Sequence, residues 1–301
     1  MEQNYYYIAI YNMKVDNAMA SSNYNIVGAP GPTAALGMSD ALRRNLSRDY
    51  NIAFQVKSVG IVYNDFHLYA NKNPQEKFYS ASLKRAPRIL ENEKECKTKD
   101  ASITEYFICK LDISLLLKVS GEEVLAAQLP MLIKSELNVM RFAGGIISSV
   151  GEVSRPIYIT ENVESDEETE LMHSFFPGYA LIDRSDLLRE EGREGKDRLD
   201  SIIDSQCLYA HVDAEGKRAY RPFVKGWIIP VQAGYKALSD FCEVRYQRDY
   251  NRKHRFAESV MTLAECKRVH RLSSVEDMMW HYDFNEELGL YAACGSKFKA
   301  E

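Results

Sequence analysis

Phe107, Cys109, Leu111, Ile113, Leu115, Leu117 and Val119 stand at every second position, opposite Lys110, Asp112, Ser114 and Lys118. Side chains of an extended chain alternate between two faces, so this spacing gathers its apolar groups only in a strand. A long strand with one apolar face needs a sheet around it and a layer over it. The flanking sequence supplies both. Residues 5–10 (Tyr-Tyr-Tyr-Ile-Ala-Ile) are aromatic and β-branched and are expected to be a strand. After a polar loop ending in Gly28-Ala29-Pro30-Gly31-Pro32, Thr33 is placed to cap a helix with Ala35, Met38, Leu42 and Leu46 on one stripe. Ile52, Phe54 and Val56 then alternate with polar neighbours into a strand that continues through Val62.

Past the long strand, Leu125, Leu129, Leu132, Ile133, Leu137 and Met140 mark one face of a helix that Pro130 must kink or divide. The chain then turns at Arg141-Phe142-Ala143-Gly144-Gly145 and re-emerges as Ile146-Ile147. The order β-α-β-β-α-β over residues 1–150 predicts an α+β, ferredoxin-like domain of the RNA-recognition type. Residues 151–225 are expected to be a variable insert. It carries the acidic run Glu161 to Glu170 as an exposed loop and a charged helix over 185–207, and ends in a basic hairpin or loop over 211–222. Residues 226–301 are expected to pack back on the core with short strands and helices near 256–270 and 274–282.

The chain has 301 residues, 46% apolar, with a net charge of −5. That balance argues against a general nucleic-acid coat, but the charge is uneven. Without the acidic decapeptide the remainder is close to neutral, while Lys217, Arg218, Arg221 and Lys225, and the stretch 245–271, are basic. Such a distribution suits one polyanion bound at one place, or an ordinary solvated surface. The six cysteines show no C-x-x-C and the six histidines no H-x-x-x-H, so no zinc site, disulfide framework, metal or cofactor is expected. The short apolar start lacks a basic leader, and no run approaches the length of a membrane span. The expected setting is therefore a reducing cytoplasm. There is no phosphate-binding G-x-x-x-x-G-K-[ST], and Gly28, Gly31 and Gly37 do not fit a dinucleotide fingerprint. The aromatic strand motif of an ordinary RNA-recognition domain is missing too, which leaves recognition to loops.

Gly226-Trp227-Ile228-Ile229-Pro230-Val231-Gln232-Ala233-Gly234-Tyr235, with Glu243-Val244-Arg245-Tyr246-Gln247-Arg248, resembles the second Csy protein family of subtype I-F CRISPR systems. Further phrases in the same order carry the likeness: Pro32-Thr33-Ala34-Ala35-Leu36-Gly37, Val59-Gly60-Ile61-Val62, Met140 to Gly145, Pro177-Gly178-Tyr179, and Gly289-Leu290-Tyr291. The loop Gly28-Ala29-Pro30-Gly31 is poorer in bulky aromatics than the family's, and 211–222 departs from it. The resemblance implies a Cas-five-type subunit of a surveillance complex that is not an enzyme, with a ferredoxin-like fold and an inserted and C-terminal, partly helical thumb region over 151–301. Such a subunit holds the 5′ handle of the CRISPR RNA, pairs with the large subunit, and abuts the first, Cas-seven-type backbone subunit. Contact with target DNA beside the PAM is left open.

The expected RNA contacts are Arg245 and Arg248 on phosphates, with Arg141 and the Gly144 and Gly145 amides along the backbone. Lys84, Arg85 and Arg88 are candidates for the same strand or adjacent DNA. Tyr235 and Tyr246 are candidates for base stacking, against core packing as the plainer role. Two alternatives stand beside this reading. One is a repeat-RNA endonuclease of similar fold with His67 or His281 as base. The other is a scaffold that touches only protein.

Overall fold

The computed structural model describes residues 4–298 apart from 24, 73, 76–78, 82, 85–88, 93–96, 100–105, 160–165, 190–196, 213–215, 246 and 248. The first strand, β1, spans Tyr6–Met19, followed by helix α1, Pro32–Tyr50. Strands β2, Gln55–Leu68, and β3, Tyr106–Ser120, come next. Helix α2 is Leu129–Leu137, with Pro130 in its first turn and a 3-10 turn at Glu122–Leu125 before it, so the proline divides the helix. A hairpin of β4, Arg141–Phe142, and β5, Gly145–Ser149, precedes helix α3, Asp166–Ser174. Then follow β6, Tyr179–Asp183, α4, Arg198–Gln206, β7, Ile228–Ala237, β8, Ala257–Arg268, β9, Met279–Asn285, and β10, Leu290–Gly295.

The strands form one twelve-stranded sheet in the order β4-β5-β1-β3-β2-β6-β8-β7-β10-β9. Two short segments attach beside this path: Ile157–Tyr158 on β1 and Leu83–Lys84 on β3. Its neighbours are antiparallel throughout. The last strand returns to β2, pairing Met279 with Gly60 and Trp280 with Val59, while β6 pairs Tyr179 with Tyr63 on the same side of that strand. One edge of β2 is thus shared, and β2-β6-β8-β7-β10-β9 closes into a ring in which each strand is paired on both sides over part of its length.

This overturns the expected fold class. The chain is a large, mostly antiparallel sheet in which strands outweigh helices, not a small ferredoxin-like domain with a partly helical thumb. The stretches expected as helices near 256–270 and 274–282 are β8 and, after a 3-10 turn at Val275–Met278, β9. Trp280, Tyr282 and Phe284 recur every second residue, which is a strand period, and neighbouring strands supply the ladder. The charged segment 185–207 is a turn of helix at Asp186–Arg189 and the separate α4. Of the acidic run, the described residues 166–170 open α3, where carboxylates suit the positive end of the helix dipole. Helix α1 starts at Pro32 with Gly31 as its cap, so Thr33 lies inside it.

Two cores sandwich the sheet. On one side α1 and α2 lay Ala35, Leu42, Leu46, Leu129, Ile133 and Leu137 on Ile8, Ile10, Ile61, Ile113, Leu115 and Leu117. The same cluster holds Leu181, Val231, Ala264 and Trp280 from the second half of the chain. On the other side α3 and the turns at 269–278 cover Tyr7, Ala9, Val62 and Leu116. Alternation along β3 therefore marks only part of its burial: Ser114 and Leu116 on the expected polar face are buried too. There Lys118 Nζ (2.7 Å) and the Tyr7 hydroxyl (2.6 Å) both donate to Glu276 Oε1, tying β1 and β3 to the turn before β9.

Trp280 is fully buried and its indole N–H donates to the Leu181 carbonyl at 2.8 Å, joining β9 to β6 across the ring. Trp280→Ala should lower unfolding free energy by about 3–5 kcal/mol in urea titration. A loss under about 1 kcal/mol would mean the ring does not depend on it. Burial alone would raise the Glu276 carboxyl, but the bonds from Lys118 and Tyr7 outweigh it and hold the group below the ordinary range. A lowered folded value gives stability that is complete above the unfolded-state pKa, about 4.3. That stability is lost as pH falls through the folded value. Glu276→Gln should flatten the acid limb of a stability-against-pH curve, and an unaltered limb would rule this carboxyl out.

Candidate nucleic-acid interface

Residues 141–145 are a β-hairpin rather than a helix stop. Arg141 pairs with Ile146 and Phe142 with Gly145, and the two loop residues, Ala143 and Gly144, have φ of 46° and 75°. Positive φ at both loop positions suits the right-handed twist of a two-residue hairpin. The loop is anchored inward: Met19 N donates to the Ala143 carbonyl at 2.8 Å and Phe142 is fully buried. A Cβ on Gly145 would sit 2.7 Å from Ala18 N, so this glycine exists to let β5 lie against β1. Gly144 is different, with nothing within 4 Å of that position. Beside it the exposed Arg141 donates through Nη1 to the Gly144 carbonyl at 3.2 Å, which fixes the guanidinium at the loop tip. Of the two expected amide sites, Gly144 is open and Gly145 is buried packing.

Tyr235 lies on β7, directly opposite Tyr291 of β10, which lies opposite Phe284 of β9. Residues in register share a face, so the three rings form a row across three strands. They are 51%, 43% and 51% exposed. Tyr282 stacks on Tyr291 with centroids 4.5 Å apart and planes at 21°. Burial first, then the neighbouring phenols and Asp40, push the Tyr282 hydroxyl up to about 12; burial and Asp40 also raise that of Tyr291. Both therefore remain neutral donors. Asp40 is held by Arg43 at 2.9 Å and Arg44 at 3.0 Å on α1. The sheet face thus offers rings, where loops alone were expected to.

Arg245 is exposed on a loop closed by reciprocal bonds between Cys242 and His254, at 2.7 and 2.8 Å. The loop is laced from within by the buried Gln247, which accepts from Val244 N at 3.1 Å and donates to the Asp249 and Arg252 carbonyls. Tyr246 and Arg248 lie outside the described residues, as do Arg85 and Arg88. Lys84 pairs with Tyr106 in the short strand on β3.

These groups do not converge on one spot. The hairpin is at the outer end of the sheet and the aromatic row is on the closing strands, with α1 packed between them. Tyr282 escaped the sequence reading because 274–282 was expected to be helical, although Trp280, Tyr282 and Phe284 recur with a period of two; Tyr291 lies on the last strand, expected near 290–292, where its ring was not singled out. His67 is exposed on β2 with its ring edge-on to Tyr69. His281 is half-buried on β9, opposite Cys294, not on a helix. Among the described residues no three His, Cys, Asp or Glu side chains are grouped to hold a metal, and no helix is long and apolar enough to cross a membrane.

Gly144→Ala should cost about 1–2 kcal/mol for its left-handed backbone alone. Gly145→Ala should cost about 2–3 kcal/mol because a methyl overpacks against Ala18. Paired denaturation curves test the ranking, and equal losses would contradict the packing role given to Gly145.

A protein-family model described as CRISPR-associated protein (Cas_Csy2) matches residues 8–293. The chain is 27% identical to CRISPR-associated protein Csy2 of Pseudomonas aeruginosa (strain UCBPP-PA14). That alignment of 311 residues covers 93% of this chain and 92% of that protein.

Proposed function

The chain belongs to the Csy2 family of CRISPR-associated proteins, and so to the subunits of the type I-F Csy complex; from that premise we propose that it holds the 5′ handle of the CRISPR RNA. In this reading it catalyses nothing. It pairs with the large subunit and abuts the first backbone subunit, while base pairing by the guide reads the target. The observation that supports it most is the hairpin tip. A guanidinium fixed at 3.2 Å on the Gly144 carbonyl stands beside a glycine with open space around it, so a phosphate can approach both. The exposed Arg245, on a loop stiffened by Gln247, adds a second cation.

The row of Tyr235, Tyr291 and Phe284 offers ring faces to a flexible strand at about 1–3 kcal/mol per stacked base. Cleavage of repeat RNA would need a base at the attacking 2′-hydroxyl. His67 and His281 sit on separate strands, one in the open and one half-buried against Cys294, and nothing in that arrangement favours an enzyme.

Each single-strand phosphate contact contributes about −0.7 to the slope of log affinity against log salt, so three contacts give about −2. Handle-RNA binding by the assembled complex should show that slope, and Arg141→Glu should make it shallower by about 0.7. Arg141→Glu with Arg245→Glu should also reduce the guide RNA that co-purifies with the complex. Full RNA content together with a salt-independent affinity would refute the proposal.

A further inference from the structure

A second aromatic cluster lies apart from the groups above. The start of β7, the end of β2 and the first residue of β6 enclose a cleft of about 560 Å³, within the usual size of a small-ligand site. Trp227 stands on one wall, 60% exposed, in edge-to-face contact with Tyr179 at 5.6 Å and 81°. That contact fixes the plane of the indole while leaving most of its surface open. Phe66 and the buried Tyr63, whose hydroxyl donates to the Pro30 carbonyl, line it as well. Stretches far apart in sequence meet here: residues 25–29, residues 63–66, Tyr179, and Trp227 with Ile229 and Pro230.

Two features point to the occupant. The rim is polar, with Asn25, Asp65 and Gln206, and Gln206 is held there by donating to the Ile228 carbonyl at 3.2 Å. The ladder from β2 to β6 also stops at Tyr63. Among the described residues no strand covers that edge along Asn64–Phe66. Ring walls with a hydrogen-bonding rim fit a flat group that has an apolar face and a polar edge. Beside the cleft, the exposed Arg268 lies over the Tyr179 ring at 5.7 Å, with Nε donating to its hydroxyl at 3.3 Å. A fixed cation there suits a phosphodiester attached to that flat group. An apolar protein side chain would use the walls and leave the rim and the cation idle.

We propose that this cleft takes one unstacked nucleobase of the single-stranded guide, with Trp227 as the stacking ring and Arg268 on the adjoining phosphate. The proposal rests on the reading of this chain as a holder of guide RNA, and its test separates the two. Complexes are assembled on guide RNA carrying one photoreactive base, 4-thiouracil or 6-thioguanine, at each handle position in turn, then irradiated and mapped.

The expected result is a crosslink from one handle position to Trp227, Tyr179 or Phe66. Trp227→Ala should lower that crosslink about tenfold, Trp227→Phe should restore part of it, and crosslinks elsewhere on the chain should be unchanged. Trp227 is exposed, and an unaltered melting temperature of the Trp227→Ala chain confirms intact folding. Crosslinks at 141–145 with none in the cleft overturn the base pocket and leave guide holding in place. Crosslinks to other subunits alone overturn both. A photoreactive residue at position 227 that captures a neighbouring protein subunit instead of RNA overturns the pocket as well.

Discussion

The shared edge of β2 is the constraint on which the rest of the molecule depends. Gly60 and Val59 take β9, and three residues on Tyr63 takes β6, so one strand receives both ends of the ring. The junction is crowded: a Cβ on Gly60 would meet Met279 Sδ at 3.1 Å and Leu116 Cβ at 3.3 Å. A side chain there would press on neighbours from both sides, so glycine eases the approach of β9 while β3 holds the other edge. The indole of Trp280 then spans to Leu181 and fixes the relative height of β9 and β6. Without that closure, β7, β8 and β10 would be a loose flap of antiparallel ribbon.

Because the ring is rigid, what it displays is displayed at fixed spacing. Tyr235, Tyr291 and Phe284 are neighbours by register rather than by chance of loop conformation, and the stacked Tyr282 supports the middle one. The charged groups follow a different principle. Arg141 sits on a hairpin tied to β1, and Arg245 on a loop braced by a single buried amide. In each case a short backbone segment is held by internal hydrogen bonds, so little conformational freedom remains to be lost when a ligand arrives.

Local chemistry made the first part of the chain legible. The α1 stripe of Ala35, Met38, Leu42 and Leu46 is buried as its spacing requires. The break at Pro130 follows from the missing amide, and the alternation of β3 found its strand. The ring did not show itself, because closure depends on pairings between residues more than a hundred positions apart, such as Val59 with Trp280. Over 256–270 the apolar residues serve two neighbouring strands and the ring interior, which blurs a period of two into something resembling a helix. The Gly144-Gly145 pair was misplaced for a related reason. Glycine signals freedom, but whether that freedom serves a helix stop or a hairpin is settled by Phe142 and Ala18, which only the fold brings together. Arg141 was identified from its neighbourhood to that turn; the cleft around Trp227 was invisible because its lining comes from several distant stretches.

The chain has two tryptophans, and the fold places them in opposite circumstances. One is sealed inside the sheet and hydrogen-bonded to a carbonyl; the other stands in an open cleft against a phenol. Their fluorescence therefore reports on separate events. The inner indole reports on integrity of the framework through red-shifted emission when water reaches it. The outer one is open to quenchers in solution, so the protein carries its own optical gauge of what occupies its surface, with an internal reference for whether it is folded.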